Sequence, residues 1–100
     1  MANEQKIIAE LSVVPLGSGP SVSKYVKAAI RELKSSNVRV ELSAMGTILE
    51  AGSIDDILKA AKRAHEAAFQ AGAVRVVTTL KIDDRRDKIQ SIESKLAAIR

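Results

Sequence analysis

The chain has 100 residues, of which 46% are hydrophobic and 28% charged, with a formal net charge of +4. That length predicts one domain, over 1–100, with a core that needs no staples. The absence of cysteine excludes a disulfide framework, a thiolate metal site and a thiol nucleophile.

No run of about 18 apolar residues is present, so no membrane span is expected. Met1-Ala-Asn-Glu-Gln-Lys6 lacks the layout of a signal peptide, and a cytoplasmic protein is the default expectation. The positive charge raises nucleic acid as a partner. Besides His65, however, the aromatics are Tyr25 and Phe69, both in predicted helices, so the sheet has no stacking platforms. Nucleic acid is therefore not expected.

Residues 6–14 read as a strand, with Ile7, Ala9, Leu11 and Val13 on one face and Ile8, Glu10, Ser12 and Val14 on the other. The mixed second face suggests a sheet covered by helices on one side. Pro15-Leu-Gly-Ser-Gly-Pro20 breaks the chain, and Ser21 is placed to cap a helix over about 22–35. Val22, Tyr25, Val26, Ala29, Ile30 and Leu33 form its apolar side, opposite Lys24, Lys27, Arg31 and Lys34. This basic stripe is read as a solvated face. The Gly17–Ser21 loop matches neither a dinucleotide fingerprint nor a Walker motif, and a plain turn is expected.

A second strand spans 37–43, and Ala44-Met-Gly46 connects it to a third over 47–51. The register of that third strand is open: either Thr47 and Leu49 or Ile48 and Glu50 face away from the helices. Ser53 and Asp56 mark the start of a helix running to about Ala71, with Gly72 as its stop. Its expected buried stripe is Ile54, Ile57, Leu58, Ala61, Ala64, His65 and Ala68. His65 is read as a core histidine satisfied by a hydrogen bond, since no Ser–His–acid set assembles at a recognisable spacing. A metal site is not expected from one histidine and no cysteine. No cofactor is expected either.

Arg75 to Ile82 reads as a fourth strand, with Val76, Thr78, Leu80 and Ile82 as its core side. Asp83-Asp-Arg-Arg-Asp87 follows without an apolar residue. Two readings are open for that cluster, an ion-pair network and a ligand contact. A last helix is predicted over 88–100 from Ile89, Ile92, Leu96 and Ile99.

The order is βαββαβ followed by a helix. This is an α+β, ferredoxin-like plan: an antiparallel four-stranded sheet with two helices on one face. It gathers Glu10, Ser12, Arg39, Glu41, Ser43, Arg75, Thr79 and Lys81 on the uncovered face. Ile8, Val14 and Val77 lie among them, which predicts pairing with further copies of the chain.

Four stretches carry a resemblance: Val14-Pro-Leu-Gly17, Met45-Gly-Thr-Ile48, Ala71-Gly-Ala-Val-Arg-Val-Val77 and Lys81-Ile-Asp-Asp-Arg-Arg-Asp-Lys88. Together they resemble the thiamine-binding protein family and each half of the tandem YkoF-type proteins. The resemblance implies a non-catalytic binder of thiamine or its hydroxymethylpyrimidine moiety. It also implies dimers or tetramers assembled through the sheets, and a pocket near the open face. Matched position by position, it points to Thr47, Asp83 and Arg86. Ser12 and Thr79 are added from strand facing, and Met45 as a stacking surface. The rival readings are a structural or regulatory oligomeric module, and an enzyme using Asp83, Asp84 or His65.

Overall fold

The computed structural model describes residues 5–100. The elements follow the order β1 (Ile7–Pro15), α1 (Ser23–Lys34), β2 (Arg39–Leu42), β3 (Thr47–Ala51), α2 (Ile54–Gln70), β4 (Val76–Asp83) and α3 (Ile92–Ala97). The strands form one antiparallel sheet in the order β2-β3-β1-β4. This is the ferredoxin-like arrangement, and it follows from two crossover units that place β1 and β3 at the centre.

One face of the sheet meets α1 and α2. Ile7, Ala9 and Leu11 of β1, Leu49 and Ala51 of β3, and Ala29, Leu33 and Ile57 of the helices form the core. Leu11, Leu33, Leu49 and Ile57 are each fully buried. Each such side chain contributes roughly 1.5–3 kcal/mol over its exposed state. The helix α2 meets this core through Ala60, Ala61, Ala64, Ala67 and Ala68, all buried. Alanines let the helix backbone approach closely, so the buried stripe shifts from the one expected. Leu58 is 48% exposed.

The local signals succeed unevenly. Ser53 caps α2 as expected, its hydroxyl accepting the Asp56 N–H at 3.2 Å, with Asp55 and Asp56 in the first turn. Gly72 stops the helix at φ +110°, and the Gly72 and Ala73 N–H groups return to Phe69 and Ala68 carbonyls. Ser21, by contrast, does not cap α1. The N-cap is Val22, without a side-chain bond, and its carbonyl accepts from both Tyr25 and Val26. The helix begins one residue later than the sequence signal, which leaves Ser21 outside the first turn.

The last helix is also shorter than predicted. Its start is set by Ser91, which forms a reciprocal capping box with Ser94. Residues 84–91 run as an irregular segment, tied down where the buried Gln90 side chain donates to the Asp83 carbonyl at 3.1 Å. Ile89 and Ile99 stay exposed, so of the expected stripe only Ile92 is buried.

Two substitutions test these contacts. Ser53→Ala removes the α2 cap and should lower stability by about 1 kcal/mol in denaturant titrations. Glu50→Ala removes the acceptor for the Ile92 N–H, at 2.7 Å, and should cost about 1–3 kcal/mol. Its signature is faster hydrogen exchange at the Ile92 amide while the α2 amides keep their protection.

Candidate functional site

The face of the sheet away from α1 and α2 is organised in rows by strand register. The first row runs Arg39, Glu50, Ile8, Asp83 across β2, β3, β1 and β4. The second runs Glu41, Ile48, Glu10, Lys81. Beyond these, Ser12 stands opposite Thr79 and Val14 opposite Val77. The register of β3 is thereby settled: Ile48 and Glu50 face the open side, and Thr47, opposite Leu11, faces the helices.

The helix α3 docks on the first row through three polar contacts. The Ile92 N–H donates to Glu50 Oε2 at 2.7 Å. Glu93 pairs with Arg39 at 2.5 Å, and Lys95 Nζ donates to Asp83 Oδ2 at 2.7 Å. Glu50 is buried, yet its other oxygen also lies 3.6 Å from Arg39. A buried carboxylate with both partners in place is tolerable where an unpaired one is not.

Between α3 and the second row lies a cleft of about 470 Å³, bounded by Ile8, Glu10, Ile48, Lys81, Asp83 and Lys95. Three isoleucines, Ile8, Ile48 and Ile82, give it apolar surface, and two carboxylates and two ammonium groups give it directional chemistry. Glu10 is only loosely held, 3.8 Å from Lys81. The hairpin between β2 and β3 also borders Glu10. A Cβ at Gly46 would come within 3.2 Å of Glu10 Cγ, so glycine there leaves the carboxylate its room.

The Asp83–Asp87 cluster resolves into parts. Asp84 pairs with Arg86 at 2.9 Å, and Asp87 with Arg85 through two bonds of 2.7 and 2.6 Å. Asp83 alone faces the cleft. The hydrogen bond from Lys95 is the main cause that holds the Asp83 carboxyl below its ordinary value of 3.8; partial burial opposes it, and the charges of Lys95 and Arg85 reinforce it. The Arg85 fork likewise lowers Asp87, to about 2.

The expected site residues therefore separate. Ser12, Thr79 and Asp83 share the open face with the cleft. Thr47 lies on the opposite face, beside a space of about 30 Å³ among Leu11, Val26 and Leu33. Met45 projects from the hairpin into solvent, 89% exposed. Arg86 is engaged by Asp84. His65 lies against the helix-covered side of β4, its Nδ1 2.6 Å from Thr78 Oγ1 and its ring edge-on to Phe69. The hydrogen bond is the one expected, but the ring is half-buried at the margin of the core rather than inside it. The sheet separates it from Asp83, and Asp84 is paired with Arg86.

Sequence reasoning missed Lys95, left the facing of Glu50 open, and gave Glu10 no role in the site. Strand alternation was signal enough for Glu10. Lys95 had none, because its meeting with Asp83 depends on how α3 docks. A larger groove of about 570 Å³ lies between α1 and α2. Two of its polar contacts are internal, Arg63 with Glu32 at 3.1 Å and the Asn37 side-chain amide donating to Asp56 at 3.1 Å. Among the described residues no cluster of three or more metal-ligating side chains occurs, and no helix is long and apolar enough to cross a membrane.

Because the folded-state value of Asp83 is depressed, its tie to Lys95 adds stability above the ordinary carboxylate range. That stability disappears as pH falls through the depressed value. A carboxyl NMR titration should therefore find Asp83 titrating below 3.8, and Lys95→Met should move it back toward the ordinary value.

Known proteins share both this sequence pattern and this backbone. The family model for thiamine-binding proteins matches residues 9–100. A UPF0045 protein of Methanothermobacter thermautotrophicus is 53% identical over 95 residues, covering 94% of this chain and 96% of its own length. The crystal structure of a hypothetical protein from Methanocaldococcus jannaschii superposes with a TM-score of 0.87 at 54% identity, over 95% of this chain and 96% of that one. A putative thiamine biosynthesis/salvage protein of Thermotoga maritima superposes with a TM-score of 0.78 at 25% identity, over 95% and 99% of the two chains. The sequence match spans the sheet and α3 alike, and the backbone likeness extends across the same elements. This chain belongs to the thiamine-binding protein family.

Proposed function

We propose that this protein binds thiamine or its hydroxymethylpyrimidine moiety, without catalysing a reaction on it, in the cleft between α3 and the open sheet face. The observation that carries this reading is the pairing of apolar surface with two carboxylates, Glu10 and Asp83, in one cleft of about 470 Å³. Ligand sites are commonly of this size and mix, mostly apolar with a few convergent polar groups. The family membership and the name of the Thermotoga maritima neighbour support the choice of ligand.

The chemistry matches group by group. An aminopyrimidine offers an amino donor and ring-nitrogen acceptors. Glu10 accepts from the amino group, and the Ser12 and Thr79 hydroxyls supply donors one row further along the sheet. The thiazolium carries a fixed positive charge, which the Asp83 carboxylate offsets. Ile8 and Ile48 lie under the rings, in place of aromatic stacking partners. Thr47 and Arg86 have no part in this reading, since one faces the helices and the other is held by Asp84.

The reading includes assembly. Val14 and Val77, 42% and 45% exposed, form an apolar pair at the end of the open face that α3 leaves uncovered. A second copy packed there buries them and walls the cleft on its open side. The unit is then a dimer or tetramer, working in the cytoplasm.

Calorimetry tests the binding directly. Thiamine should give saturable heat, and Glu10→Gln should weaken its affinity about three- to tenfold. The absence of heat at millimolar thiamine and hydroxymethylpyrimidine overturns the proposal. Sedimentation tests the assembly: an oligomer is expected at micromolar protein, shifted toward monomer by Val77→Asp, and a monomeric wild type contradicts it.

A further inference from the structure

Both acids of the cleft are already matched by lysines of the same chain, but the two matches differ in kind. Lys81 stands beside Glu10 on the neighbouring strand, at 3.8 Å, with a side chain 80% exposed. Lys95 comes from α3, across the cleft, and donates to Asp83 Oδ2 at 2.7 Å. An ammonium group in hydrogen-bond contact with Asp83 stands where a cationic ligand would place its own charge. Lys95 also has somewhere else to go. Its side chain is 50% exposed, its four-carbon stem is flexible, and α3 remains held by Glu50 and Arg39 without it.

We propose that Lys95 is a built-in competitor for the cation subsite of the cleft, and that a cationic ligand binds by displacing its ammonium from Asp83. This rests on the function proposed above and assigns the ligand-specificity role within that site to Lys95. Its physical content is an exchange of one charge partner for another at a single carboxylate. Lys95 keeps Asp83 neutralised when the cleft is empty, and it penalises every ligand that needs Asp83. Neutral ligands, which use Glu10 and the hydroxyls, escape that penalty. The device thus lowers affinity for cations selectively, and it sharpens the discrimination among ligands that share a pyrimidine but differ in charge.

The competing pair is half-exposed, so the penalty it imposes is modest, and removing it should tighten thiamine binding about two- to fivefold. Calorimetry on wild type, Lys95→Met and Lys95→Arg, each with thiamine and with neutral hydroxymethylpyrimidine, reads this out. Lys95→Met should tighten thiamine and leave hydroxymethylpyrimidine unchanged, while Lys95→Arg should stay near wild type because the competing charge persists. Thermal melts of the three proteins report whether α3 remains docked. If Lys95→Met leaves thiamine affinity unchanged or weakens it, Lys95 is not a competitor, although the binding function stands. Equal shifts for both ligands indicate a structural loosening of the cleft and also overturn the inference. If wild type and variants all fail to bind either ligand, the proposed function itself fails, and the inference falls with it.

Discussion

Glu50 is a carboxylate carried by a central strand onto the open face and then sealed from water, and that arrangement organises the functional half of the molecule. Placing a charge there is costly unless its lone pairs are used. Glu50 accepts a hydrogen bond from the Ile92 N–H at 2.7 Å, and its other oxygen lies at ion-pair distance, 3.6 Å, from the Arg39 guanidinium. The first of these satisfies a donor at the start of α3 that has no partner within its own helix. The second joins a residue that also holds Glu93 of the same helix. One buried acid therefore fixes where α3 sits. Without that anchor, a helix of six residues would have little reason to remain on the sheet.

Everything proposed for the site follows from that placement. The sheet alone presents a flat mixed face, with charges exposed to bulk water and no cavity. Once α3 covers the first row, the second row becomes the floor of a cleft, and Asp83 comes within reach of Lys95. The charged residues that follow Asp83 pair among themselves: Asp84 holds Arg86 and Asp87 holds Arg85. These pairs explain why a run of charged residues from Asp83 to Asp87 yields only one cleft-facing carboxylate. The basic groups on α1 lie on the far side of the sheet and play no part.

The fold was legible because its signals are local and repeated. Alternation in β1 and β4 identifies the core face, Ser53 and Gly72 bracket α2, and the order of elements selects the topology. The errors arise where two local signals compete or where long-range contact decides. Ser21 has the chemistry of a cap, but the α1 backbone begins its ladder at the Val22 carbonyl. The apolar spacing from Ile89 to Ile99 suggests a long helix, whereas Ser91 and Ser94 set a later start. Thr47 is attractive from the family motif, yet pairing with Leu11 turns it toward the helices. Lys95 is invisible in the sequence, because nothing in its neighbours states that it meets Asp83 at the end of β4.

If the cleft beneath α3 is the ligand site, a crystal of the protein soaked with thiamine should hold the ligand there. Ring density is expected over Ile8 and Ile48, with the amino group on Glu10, the thiazolium beside Asp83 and the Lys95 ammonium swung away. Thiamine seated in the groove between α1 and α2, or elsewhere with the cleft empty and Lys95 still on Asp83, would contradict it.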